Sequence, residues 1–176
     1  SLHSHFSDCF LFHFPIPNKI LEKCQKNKIT EEFDMLESNV KIGVTEISPR
    51  AVQQAAELNF KNGYYCCEAL MATIKQEFKL DVPDSVIAMA SGMAVGAGKS
   101  GCVCGAFNGG ILALGMFFGR TEQNGPTNPK SVKCMELTHE LYDWFKTANK
   151  KNAICCRVLT KEFNMGQGEH KEQCIF

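Results

Sequence analysis

The sequence predicts an all-α fold, a compact helical bundle of about five to six helices with a buried central helix after a glycine-rich loop. Three observations predict it. Apolar residues recur at helical spacing over most of the chain. Ser, Pro and Gly stand where helices start and stop. Alternating runs joined by hairpin signals are absent.

The first helix opens at Ser48-Pro49, a capping serine followed by proline at the first helical position, and Gly63 suits its end. Val52, Ala55 and Ala56 form its apolar stripe. A second helix is expected over Tyr64 to Phe78, with Cys66, Leu70 and Ile74 on one face. Asp81-Val82-Pro83 breaks the chain, and Asp84 to Met93 reads as a third helix. Gly92 to Gly101 is the glycine-rich loop. From Val103 to Gly119 a fourth helix is apolar nearly all round, which suits burial at the centre. Gly105 and Gly109 lie one turn apart in it, so a neighbour can approach closely there. Lys130 to Lys150 is a long amphipathic helix with Cys134, Thr138, Leu141 and Phe145 on one stripe. Ala153 to Asn164 is the last, with Cys156, Leu159 and Phe163 aligned.

The first 34 residues lack a comparable plan. The stretch Thr30 to Met35 can be encoded as ACG GAG GAA TTT GAC ATG, which places a GGAGGA ribosome-binding sequence before a start codon. The native protein is therefore expected to begin at Met35. Residues 1–34 then form a non-native leader or a disordered tail, and residues 35–176 one helical, cysteine-rich domain. Mass spectrometry of the protein from its native source tests this; an N-terminus upstream of Met35 ends the idea.

Bulk properties narrow the function. Lys+Arg and Asp+Glu balance at 19 each, so no basic excess points to nucleic acid or an anionic membrane. No apolar run is long enough to span a bilayer; the longest candidate, Gly109 to Gly119, is short and carries four glycines. Phe10-Leu11-Phe12 makes a poor export signal, because no basic residue precedes it and Pro15 and Pro17 follow. The expected location is the reducing cytoplasm, where clustered cysteines more often mean metal or redox chemistry than structural staples.

GMAVGAGKSGC, residues 92–102, resembles a phosphate loop but fails its test. A Walker A loop needs glycine five places before Gly98, where Met93 stands. No βαβ context supports a dinucleotide fingerprint. The glycines are better read as a rim whose backbone N–H groups approach an anionic centre, with Gly98, Lys99, Ser100 and Gly101 as the cofactor-binding candidates. The loop leads into the start of the fourth helix, where a cysteine thiolate is expected to have a lowered pKa.

Ten cysteines are present, among them Cys66-Cys67, Cys102-x-Cys104, Cys155-Cys156 and the single Cys174. Cys134 suits plain packing. His139 and His170 are read as surface residues, and Tyr142 and Trp144 as cover for the core or an interface. No Ser-His-Asp set or carboxylate pair stands out. C-x-x-C-H, C-x-x-C and ferredoxin spacings are absent.

GYYCCEAL (63–70), ASGMAVGAGKSGCVCGAFNGG (90–110), LALG (112–115), CCRVLT (155–160) and Cys174 together resemble the redox-active family named for its motif, C_GCAxxG_C_C. The same module is similar to the iron–sulfur part of split-Soret cytochromes c. The resemblance implies a redox function and makes Cys66, Cys104, Cys156 and Cys174 the motif cysteines. One departure matters. The motif has Gly-Cys-Ala-x-x-Gly, whereas this chain has Cys104-Gly105-Ala106-Phe107-Asn108-Gly109, so Cys102 and Cys104 both remain candidates for that position. Cys67, Cys102 and Cys155 are additional; they either extend the ligand set to a larger or second cluster or simply pack.

The leading expectation is an iron–sulfur protein carrying a [4Fe–4S] or [2Fe–2S] cluster on thiolates from separate helices, transferring electrons or acting as an oxidoreductase on an unassigned substrate. A soft-metal thiolate protein binding Cu(I) or Zn, and a thiol–disulfide redox protein, are the alternatives. A redox partner protein of unassigned identity and a homodimer are both compatible with this reading.

Overall fold

The structure, a computed structural model, describes residues 37–160. Among the described residues there are six α-helices, one 3-10 turn and no strand. The all-α class expected from the sequence is the class found.

Helix α1, Pro49–Lys61, is started as expected: the Ser48 hydroxyl accepts the Ala51 N–H at 3.4 Å and Pro49 takes the first turn. It buries Val52, Ala56 and Phe60 against α2, Cys66–Glu77. Helix α2 lies at the centre. From Cys66 through Ile74 only Glu68 escapes full burial. Glu68 is spent on the helix start, accepting the Tyr65 N–H at 2.8 Å and the Ser91 hydroxyl at 2.5 Å.

The third helix expected over Asp84–Met93 divides in two. Helix α3 covers Ser85–Ala88, and Ser91–Met93 is a separate 3-10 turn. The cause lies at Ala90, which is completely buried. Its carbonyl accepts both the Met93 N–H at 2.9 Å and the Cys67 thiol at 3.0 Å, so the chain tightens there instead of continuing at α-helical pitch.

Helix α4, Gly105–Phe118, is the apolar helix foreseen, beginning two residues later than expected because Cys104 serves as its cap position. Its glycines make the centre of the bundle. A Cβ on Gly109 would stand 3.2 Å from the backbone of Cys67 and 3.1 Å from Leu70. One on Gly110 would stand 2.8 Å from the Leu141 side chain. Thus α2 and the segment that carries Leu141 press onto neighbouring positions of α4.

Helix α5, Pro129–Thr147, starts with Asn128 accepting the Ser131 N–H at 3.2 Å. It buries Leu137, Leu141 and Phe145, with the Phe145 ring 5.3 Å from that of Phe107. The expected stripe is shifted: Leu137 is fully buried, while Cys134 and Thr138 are half-buried. Helix α6 is the short Cys156–Leu159 with Cys155 as its cap position. The expected start at Ala153 is not found: residues 153–155 are not helical, and the Ile154 carbonyl accepts the Cys104 N–H of the loop that precedes α4. Phe163 lies outside the described residues.

The tight α2–α4 contact gives a stability prediction. Gly109→Val forces side-chain bulk against the Cys67 backbone and should cost about 1–3 kcal/mol. Gly115→Ala, where nothing lies within 4 Å, should gain about 0.5–1 kcal/mol from helix propensity. Urea or thermal denaturation of the two variants measures the contrast.

Candidate cysteine redox site

Three segments supply the site. Cys66 and Cys67 open α2, Cys104 precedes α4, and Cys156 opens α6. All four are buried. The glycine face of α4 makes the approach possible: a Cβ on Gly105 would stand 2.5 Å from the Cys66 sulfur and 3.6 Å from that of Cys67. Any larger residue at 105 fills the space the sulfur uses.

The third segment arrives by backbone pairing. The Cys104 N–H donates to the Ile154 carbonyl at 2.7 Å, and the Arg157 N–H donates to the Gly101 carbonyl at 3.0 Å. These bonds run residues 101–104 antiparallel to 154–157. Asn149 prepares the turn that makes this possible. Its buried side chain donates to the carbonyls of Phe145 and Ala153 and accepts the N–H groups of Lys151 and Ala153 at 3.1 Å each. Sequence reasoning missed Asn149. Its only signal was a polar residue with strong turn preference just after a helix end.

Between those two hydrogen bonds Cys102 and Cys155 face one another and form a disulfide. Both are half-buried. Two of the candidate metal-binding cysteines are thus bonded to each other in this state. Cys66, Cys67, Cys104 and Cys156 remain thiols. Cys174 lies outside the described residues, as do His170 and the 1–34 boundary. Among the described residues, no group of three or more His, Cys, Asp or Glu is set at metal-binding geometry.

The electrostatics differ from the expectation at the helix start. The Cys104 thiol is pushed well up, not down, chiefly by burial and then by the neighbouring Cys66 and Cys156 sulfurs. The Phe107 and Ala106 N–H groups of α4 pull the other way but are outweighed. Desolvation thus beats the helix terminus. The Cys66 thiol is also raised, by its hydrogen bond with the Cys67 side chain, by burial and by the Cys67 and Cys156 sulfurs. These interactions show the three motif cysteines Cys66, Cys104 and Cys156 near enough to repel one another when ionised.

The glycine-rich rim has an unusual backbone. Val95 to Lys99 all have positive φ, with values of 54°, 70°, 52°, 59° and 68° in order. Gly96 is obligatory there, since a Cβ would stand 2.4 Å from the Cys102 nitrogen. The N–H groups of Gly98, Lys99, Ser100 and Gly101 donate to the carbonyls of Gly92, Ala94, Ala97 and Val95, at 2.9–3.3 Å. In this conformation the donors expected to face an anion are engaged within the loop. The Ser100 hydroxyl donates to the Gly96 carbonyl and to that of Cys102, at 3.0 Å for the latter. The loop therefore braces the residue that carries the disulfide.

Away from the site, His139 is exposed, stacked on Tyr142 and 3.5 Å from Asp143. Cys134 is a half-buried thiol raised by burial. No helix among the described residues is long and apolar enough to cross a membrane.

Fold and site together define a helical domain that gathers buried cysteines around a glycine-faced helix, with a disulfide at their edge. The chain belongs to the family described as "Putative redox-active protein (C_GCAxxG_C_C)", whose profile matches residues 64–175. The match includes all three cysteine doublets and Cys174. It supports a redox role. No curated protein and no solved structure matches the chain significantly.

The burial pattern predicts an order of reactivity. In metal-free native protein, Cys134 should alkylate with iodoacetamide before Cys66, Cys104 and Cys156, because all three are buried while Cys134 is half-buried, and the Cys66 and Cys104 thiols are pushed well up besides. Raising the pH should speed every site, and denaturation should erase the order. Mass spectrometry of labelled peptides checks it.

Proposed function

We propose that Cys66, Cys104 and Cys156 are ligands of an iron–sulfur cluster in an electron-transfer protein, with Cys174 completing four thiolates. The observation that carries this reading is that Cys66, Cys104 and Cys156, from three distant segments, are all buried and near enough to interact electrostatically. The donor chemistry fits. Thiolate is the ligand of iron–sulfur centres, and the bare Gly105 lets the Cys66 sulfur come close to the start of α4. When bound, the cluster supplies one-electron redox chemistry.

The chain's own residues set the conditions for it. Burial and repulsion from neighbouring sulfurs, with the Cys67 side-chain hydrogen bond at Cys66, raise the Cys66 and Cys104 thiols and favour their protonated forms. Iron binding therefore competes with protons, and apoprotein should take up less iron as the pH falls. The Ala106 and Phe107 N–H groups act on the Cys104 sulfur and favour its anionic form. Cys67 donates to the Ala90 carbonyl at 3.0 Å and holds the 3-10 turn against the site.

Anaerobic purification of the full chain, with absorption and EPR spectra and iron and acid-labile sulfide analysis, tests the proposal. The expected protein is brown, bleaches on reduction and contains both iron and sulfide. Cys66→Ser, Cys104→Ser and Cys156→Ser should each lose most of that iron, whereas Cys134→Ser should retain it. A colourless protein holding Cu(I) or Zn without sulfide overturns the cluster in favour of a soft-metal thiolate site.

A further inference from the structure

We propose that Cys102 and Cys155 form a reversible two-electron thiol/disulfide couple at the rim of the buried thiol cluster, reduced by a dithiol. The pair stands apart from the motif cysteines and does not depend on what those cysteines bind.

Three observations carry the proposal. First, the two sulfurs are already bonded, while Cys104 and Cys156, two residues and one residue further along, are buried thiols. Among the described cysteines, oxidation is thus confined to the outer pair. Second, both bonded cysteines are half-buried, so a reductant can reach them; the cysteines beneath are covered. Third, backbone hydrogen bonds bracket the disulfide, Cys104 N–H to Ile154 O at 2.7 Å on one side and Arg157 N–H to Gly101 O at 3.0 Å on the other. These bonds do not involve sulfur and persist when the disulfide opens. The two thiols stay opposed and can close again without a search through unfolded conformations. Asn149 on one segment and Ser100 on the other brace the pairing from both ends.

The chemistry balances. One thiolate of a dithiol attacks a sulfur of the bridge, forming a mixed disulfide and releasing the other cysteine, which takes a proton. The second thiol of the reductant then displaces the remaining cysteine and closes its own cyclic disulfide. Two electrons and two protons have passed from the dithiol to Cys102 and Cys155.

The test equilibrates the full chain, as purified anaerobically, in buffers of defined reduced-to-oxidised dithiothreitol ratio. Thiols are alkylated with light reagent, the bridge is reduced after denaturation, and new thiols take heavy reagent. Fragment ions distinguish Cys102 from Cys104 and Cys155 from Cys156. Cys102 and Cys155 should change label together in the native protein, their oxidised-to-reduced ratio moving tenfold for each tenfold change of the buffer ratio, and should return on reoxidation. Cys102→Ser should leave Cys155 able to take up one glutathione from oxidised glutathione. The proposal is overturned if the pair is fully alkylated in every buffer, or resists reduction until the protein unfolds. It is also overturned if labelling follows iron content and not the buffer, which would make these cysteines metal ligands. Iron and sulfide analysis of the same samples separates failure of the couple from failure of the cluster reading.

Discussion

The close approach of α4 to the first turn of α2 is the constraint on which the remaining architecture rests. It is made of missing atoms. At Gly105 a side chain would occupy the place of the Cys66 sulfur, and at Gly109 it would meet the Cys67 backbone. With both positions bare, α2 lies against the face of α4, and Cys66 arrives near Cys104. The same apolar helix takes α5 on its adjoining side through Gly110 and Phe107. Two helices thus share one narrow partner, and its N-terminal end becomes the meeting point of cysteines.

The third arm needs a different device. Helix α6 has a single turn and little apolar surface to anchor it. Its first residue is placed by backbone pairing with the loop before α4, and that pairing depends on polar groups at both ends. Asn149 spends its whole amide on the turn out of α5. The left-handed run of Val95 to Lys99 closes on itself through its own N–H groups and presents Cys102 at the edge. Non-glycine residues in that backbone region are costly and persist only where their surroundings dictate them. Here the dictating feature is the packing of Gly96 against Cys102.

The result is a site layered by depth. Outer cysteines Cys102 and Cys155 are reachable and bonded, whereas inner cysteines Cys66, Cys67, Cys104 and Cys156 are buried thiols. Layering follows from chain direction. In both the Cys102-x-Cys104 and Cys155-Cys156 runs, the helix begins at the inner cysteine or just after it, so entry into the helix turns that residue inward. At Cys104 burial then outweighs the attraction of the helix N–H groups and favours the protonated thiol.

Local chemistry determined much of this in advance. Helical class, the Ser48-Pro49 start, the apolar α4 with its close-approach glycines, and the family motif were legible because caps, periodicity and spacing are short-range properties of neighbouring residues. Other features were decided only in three dimensions. The split of residues 84–93 depends on the Ala90 carbonyl meeting a thiol that is distant in sequence. The Cys102–Cys155 bond joins residues 53 apart in sequence, and no local pattern distinguishes that partner from the other cysteines. The direction of the Cys104 shift likewise reflects how much water the finished fold excludes, a quantity that residue order near position 104 does not contain.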